Sequence, residues 1–157
     1  MNLNNFTIKS QEAIQQAQQL AQEMGHQQIE NEHLFKGITS VDENVTPFLL
    51  KKLNINVNLF HQILDKTLQS FPKVSGGELM LSREASKTLN EASSIAKKMN
   101  DEFVSVEHLF LAVFRSSSKV AQILKDDQLA CRMRKNALVR VNKLFTWKNV
   151  CVQLSNL

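Results

Sequence analysis

The residues that most resemble chemical machinery are two Glu-His pairs, Glu32-His33 and Glu107-His108, each inside the tetrapeptide EHLF. A carboxylate beside an imidazole is raw material for acid–base catalysis, and His26 adds another imidazole seven residues before His33. Neither pair builds a site by itself. Neighbouring residues on a helix point about 100° apart. His26 and His33 are spaced by two helical turns and share a face, but zinc needs a third protein ligand and none follows at a suitable spacing. His33 is followed by LFKG, so there is no HExxH motif. The glycines of VSGGE lack both the GK[ST] ending and the preceding apolar strand of a phosphate loop. Cys131 and Cys151 have no nucleophile context. No catalytic residue, metal site or cofactor is expected.

A local structural role explains EHLF better. With Ser105 as N-cap, Glu107 is the second helical residue and His108 the third. A carboxylate there faces unpaired backbone N–H groups and the positive end of the helix dipole, worth about 0.3–1 kcal/mol. Leu109 and Phe110 then open the buried stripe. The second copy has a simple origin. Shifted by 75 residues without gaps, 7–38 lies over 82–113, and Ala17/Ala92, Ala21/Ala96, Met24/Met99 and both EHLF motifs coincide. The register continues to Val45/Val120 and Leu49/Leu124. Identities that also respect helical periodicity mark a duplicated unit.

The elements that position these residues follow from the same spacing. Thr7 caps a helix carrying Ala13, Ile14, Ala17, Leu20, Ala21 and Met24, closed by Gly25. A short helix starts near Glu30. Pro47 sits in the first turn of a third, and Asn56 or Asn58 caps a fourth through Phe60, Ile63, Leu64 and Leu68. Pro72 and Gly76-Gly77 break the pattern, so 71–81 is a linker. Ser82 and Ser105 cap the matching helices of the second unit, and a seventh runs from about Lys119 to Asp126. No stretch alternates with period two. The expected fold is all-α: about eight helices in two tandem four-helix repeats with pseudo-twofold symmetry, repeat one over about 6–70 and repeat two over about 82–128.

The totals agree with a small packed domain. The chain has 157 residues, of which 43% are apolar, and no apolar run approaches the ~18 residues of a membrane span. Two cysteines are no disulfide framework, and the N-terminus shows no export signal, so a reducing cytoplasm is expected. The net charge of +4 is uneven. Residues 1–128 hold 13 basic and 15 acidic residues, whereas 129–157 hold six basic residues, no acid and the only tryptophan, Trp147. In the repeat register, Leu59 and Phe60 would face Arg134 and Lys135, so the apolar pattern of the eighth helix dissolves. Residues 129–157 are either a degenerate last helix or a non-native end left by a frame change or fusion, the second being favoured. Nucleic-acid binding would rest on this basic tail alone, which sits in no recognised module.

FTIKSQEAIQQAQQLAQEMGHQQIENEHLF, PKVSGGELMLS and DEFVSVEHLFLAV, in that order, resemble the N-terminal domain of Clp AAA+ chaperones. FTIKSQEA and PKVSGG look most like the ClpB disaggregase type. The resemblance covers residues 1 to about 128, and no Walker A sequence is present. It implies a non-enzymatic module that engages unfolded or aggregated polypeptide for delivery to the ATPase ring. In a full-length parent its partners would be the AAA+ hexamer and the DnaK chaperone system, without a membrane. The alternatives are an adaptor-docking domain of a ClpA/ClpC-type protease regulator and a nucleic-acid binder using the basic tail. Three polar positions carry over as expected substrate-binding residues: Thr7, opening the first helix, and Asp101 and Glu107 of DEFVSVE. Thr7 and Asp101 are expected to approach each other at the pseudo-twofold axis. A client groove between the halves would expose apolar residues near the linker and the second EHLF, namely Leu79, Leu81, Val104 and Leu109.

Overall fold

A computed structural model describes residues 3–74 and 76–125. In chain order the elements are α1 (Ile8–Glu23), β1 (Gln28–Ile29), α2 (Asn31–Val41), α3 (Val45–Lys52), α4 (Val57–Gln69), β2 (Met80–Leu81), α5 (Arg83–Lys98), α6 (Val106–Arg115) and α7 (Lys119–Lys125). The fold is all-α, with seven helices among the described residues. The expected eighth helix at 129–143 lies outside them.

Caps fix the helix starts. Thr7 Oγ1 accepts from the Ser10 N–H at 3.3 Å, and its counterpart Ser82 Oγ accepts from the Ala85 N–H at 3.0 Å. Asn56 Oδ1 accepts from the Leu59 N–H at 3.1 Å to start α4. After α1 the chain turns through Gly25 at φ 72°, and after α5 through Asn100 at φ 60°, 75 residues on. Asparagine tolerates the left-handed conformation that glycine adopts freely.

The two short strands, unannounced by any period-two pattern, lock the repeats together. β1 and β2 pair in parallel, Ile29 opposite Leu81, and a separate parallel bridge joins Phe6 to Val104. Advancing Ile29 by 75 residues gives Val104, and moving Leu81 back by 75 gives Phe6. Each half therefore lends the segment before its first helix to the segment before the second helix of the other half. The flanking bonds repeat the exchange: Ser82 N–H donates to the Ile29 carbonyl at 3.1 Å, and Thr7 N–H to the Val104 carbonyl at 3.0 Å. This is the expected pseudo-twofold axis. The two EHLF phenylalanines meet on it, with the Phe35 and Phe110 rings 5.4 Å apart and the Phe60 ring edge-on to Phe35 at 5.3 Å. All three are buried, so one core serves both halves.

Candidate functional site: a seam between two capping devices

Each EHLF histidine caps its own helix. His33 Nδ1 accepts from the Glu30 N–H at 3.0 Å, and His108 Nδ1 accepts from the Ser105 N–H at 2.9 Å. Both are at the third helical position, where a side chain reaches back to the N-cap backbone. An accepting Nδ1 places the ring proton on Nε2 in the neutral imidazole. His108 Nε2 then donates to Asp101 Oδ2 at 3.0 Å. His33 Nε2 donates to His26 Nδ1 at 2.8 Å. Positions 26 and 101 are 75 apart, so one repeat ends the chain of bonds on a carboxylate and the other on a second imidazole. His26 must carry its own proton on Nε2, and that buried atom has no partner. Burial, then the neighbouring His26, lowers the His33 pKa to about 4, so at neutral pH it keeps the lone pair that the cap requires. Burial, then Lys73, also lowers His26.

The two glutamates have diverged. Buried Glu32 accepts the Val120 N–H through Oε1 at 3.1 Å, starting α7 in the other half. By symmetry Glu107 should accept the Val45 N–H at the start of α3. Asp42 takes that N–H instead at 3.2 Å, together with those of Asn44 at 3.3 Å and Thr46 at 2.6 Å, and the Thr46 hydroxyl at 2.8 Å. Burial pushes the Asp42 carboxyl up, but these bonds, led by Thr46, outweigh it and hold the pKa below the ordinary carboxylate value. Among the described residues no hydrogen bond or ion pair holds Glu107, and it is exposed.

A pocket of about 360 Å³ opens beside it, where the starts of α1, α3 and α6 converge. Thr7, Ile8, Lys9, Asp42, Val45, Ser105, Val106 and Glu107 line it. Ile8 is 76% exposed, the most open of the exposed large apolar residues among the described ones. The equivalent mouth across the pseudo-axis has Arg83 for Ile8 and Asn31 for Val106, and the Glu32–Val120 bond crosses it. No group of three or more His, Cys, Asp or Glu side chains among the described residues is arranged to hold a metal.

The model of the Clp repeat N-terminal domain matches residues 5–127. The chain belongs to this family. The ClpB chaperone of Bacteroides thetaiotaomicron is 47% identical over 143 residues, covering 91% of this chain and 17% of that protein. The ClpB chaperone of Porphyromonas gingivalis is 38% identical over the same shares. A match covering 91% of the chain necessarily runs past residue 128. The Hsp104 N-terminal domain from Candida albicans superposes with a TM-score of 0.72 at 20% identity, covering 86% of this chain and 90% of that one. The N-terminal domain of ClpD from Arabidopsis thaliana gives 0.64 at 17% identity, covering 90% and 97%. At such identities the structural likeness speaks for the fold; the ClpB type rests on the sequence relatives.

In this Clp N-domain the expected site residues fall in four places. Thr7 and Glu107 come together in the seam pocket. Asp101 does not join them: it lies outside that pocket, against His108. The expected exposure of Val104 and Leu109 is corrected. Val104 is 1% and Leu109 2% exposed, because one sits in the inter-repeat bridge and the other on the buried stripe of α6. Leu79 and Leu81 are half-buried against the core, which leaves them little surface to offer. Ile8, Lys9, Asp42, Val45, Ser105 and Val106, which also line the pocket, were not among the site residues expected from sequence. A usable signal existed, since Ile8/Arg83, Lys9/Glu84, Asp42/Ser117, Ser105/Glu30 and Val106/Asn31 are positions where the copies disagree in character.

Proposed function

We propose that this domain engages unfolded or aggregated polypeptide at the seam pocket, as the substrate-binding N-terminal domain of a cytoplasmic ClpB-type chaperone. In the full-length parent the client would pass to an AAA+ hexamer working alongside the DnaK system. The observation that carries the proposal is Ile8, three-quarters exposed beside an unpaired Glu107 in a pocket of single-segment size. Aliphatic walls with a few polar groups suit an extended or amphipathic stretch without demanding one sequence. The predominance of ClpB chaperones among the relatives favours this reading over adaptor docking. No membrane partner is invoked: among the described residues no helix is long and apolar enough to cross one.

Fluorescence anisotropy with a labelled, permanently unfolded protein tests the assignment. Ile8→Glu should weaken binding about tenfold, or ~1.4 kcal/mol, at unchanged helical content. Met99→Ser, an exposed apolar change outside the pocket, should not. Equal binding by wild type and Ile8→Glu would move the client site elsewhere.

A further inference from the structure

A second cleft, of about 160 Å³, lies beneath the linker between the repeats, lined by His26, Gln27, Gln28, Glu30, Phe71, Pro72 and Val74. It shares no lining residue with the seam pocket. His26 is only 6% exposed, its ring packs edge-on against Phe71 with centroids 5.8 Å apart, and its Nε2 is buried without a partner. The proton must be on that atom. Glu30 N–H donates to His33 Nδ1, His33 Nε2–H donates to His26 Nδ1, and the last donor has nowhere to go. A buried donor without a bond is costly, so an acceptor that reaches it recovers that cost.

The other repeat shows which acceptor suits the arrangement. There the same chain, Ser105 N–H to His108 to position 101, ends on the carboxylate of Asp101. We propose that the cleft under the linker binds an aliphatic carboxylate, whose oxygen accepts the orphaned Nε2–H of His26. The charge felt at His26 has the right sign, since it comes from Lys73, on the linker next to Pro72 and Val74. Glu30, at the N-cap of α2, also borders the cleft and disfavours an anion at its own end, which directs the carboxylate towards His26 and Lys73. Phe71, Pro72 and Val74 provide an apolar lip for a short hydrocarbon stem. Because Nε2 is closed to solvent, the ligand enters by displacing a side chain. Two sources share this chemistry: the C-terminus of a polypeptide and a free short-chain acid.

The test is an NMR titration of the full chain with butyrate, following the His26 ring nitrogens and the Gln27 and Val74 amides. Saturable shifts at these positions are expected, with butyramide at least tenfold weaker. His26→Asp, which supplies the carboxylate internally as repeat two does, should abolish the shifts at the Gln27 and Val74 amides. Lys73→Gln, an exposed linker change that leaves the core intact, should weaken them several-fold. An alanine tetrapeptide with a free C-terminus, compared with its amide, separates the sources: tighter than butyrate assigns polypeptide ends, weaker assigns a free acid. No saturable shift at His26, or equal shifts with butyramide, would overturn the proposal.

Discussion

At the residue scale, His33 accepts the Glu30 N–H through Nδ1, and an acceptor imidazole must stay neutral. Unfolded, His33 titrates near 6.5; folded, at about 4. Between those values the unfolded chain takes up a proton that the native chain refuses. Stability should therefore decline as pH falls from 6.5 to about 4, and be level with respect to this group above and below that window. The whole span is worth at most about 3 kcal/mol. His33→Gln keeps a capping side chain at the third helical position but removes the titration. Urea midpoints measured across the window should slope less in that variant than in wild type. Some slope should survive, because burial lowers His26 in the same direction. Asp42 works at the acid end: its carboxyl, held below the ordinary value, contributes stability that is lost only as pH drops through its folded pKa.

At the element scale, α1 and α2 pack more closely than their counterparts allow. Gly37 faces α1, where an added Cβ would drive into the Ala13 carbonyl oxygen and crowd the Ala17 nitrogen. Both atoms belong to helix backbone, which cannot swing aside as a side chain would. Repeat two has Ala112 at the matching position, buried without difficulty between α5 and α6. Gly37→Ala normally favours a helix by up to ~1 kcal/mol. Here overpacking should win and cost about 1–3 kcal/mol, read as a lower thermal midpoint. Ala112→Gly should cost no more than the helix-propensity term and the loss of one methyl group. A stabilised Gly37→Ala variant would show that the helices separate easily.

At the scale of the whole molecule, the two halves start their seam helices differently. Glu32 does so for α7, whereas Asp42 does so for α3 and leaves Glu107 without a partner among the described residues. Asp101 and Glu107, which sequence similarity groups together, should therefore separate by experiment. Asp101→Ala removes the acceptor of His108 and should lower stability by about 1 kcal/mol, while binding of unfolded protein persists. Glu107→Ala should cost no more stability than its place at the start of α6 supplies, about 0.3–1 kcal/mol, and should weaken binding. Reversed results would make Asp101 the client contact and Glu107 the structural residue.

Helical periodicity, cap residues and the 75-residue register were enough to define the seven described helices and the symmetry, because each depends on local spacing or on matching residues within the chain, whereas the family was legible only through the resemblance of whole stretches to Clp N-terminal domains. Thr7 and Glu107 were likewise legible as members of a motif. Tertiary structure alone decided which apolar residues stay outside. Val104 and Leu109 are no more apolar than Ile8 and differ from it in sequence only through their apolar counterparts Ile29 and Leu34, where Ile8 meets Arg83, yet two are sealed in the core and the third is open to solvent. Exposure depends on what the other half places opposite, and a one-dimensional pattern does not contain that. The same holds for hydrogen-bond partners: position 26 or 101 acquires meaning only when a capping histidine from the next helix arrives beside it, ending in one repeat on a carboxylate and in the other on a donor left without an acceptor.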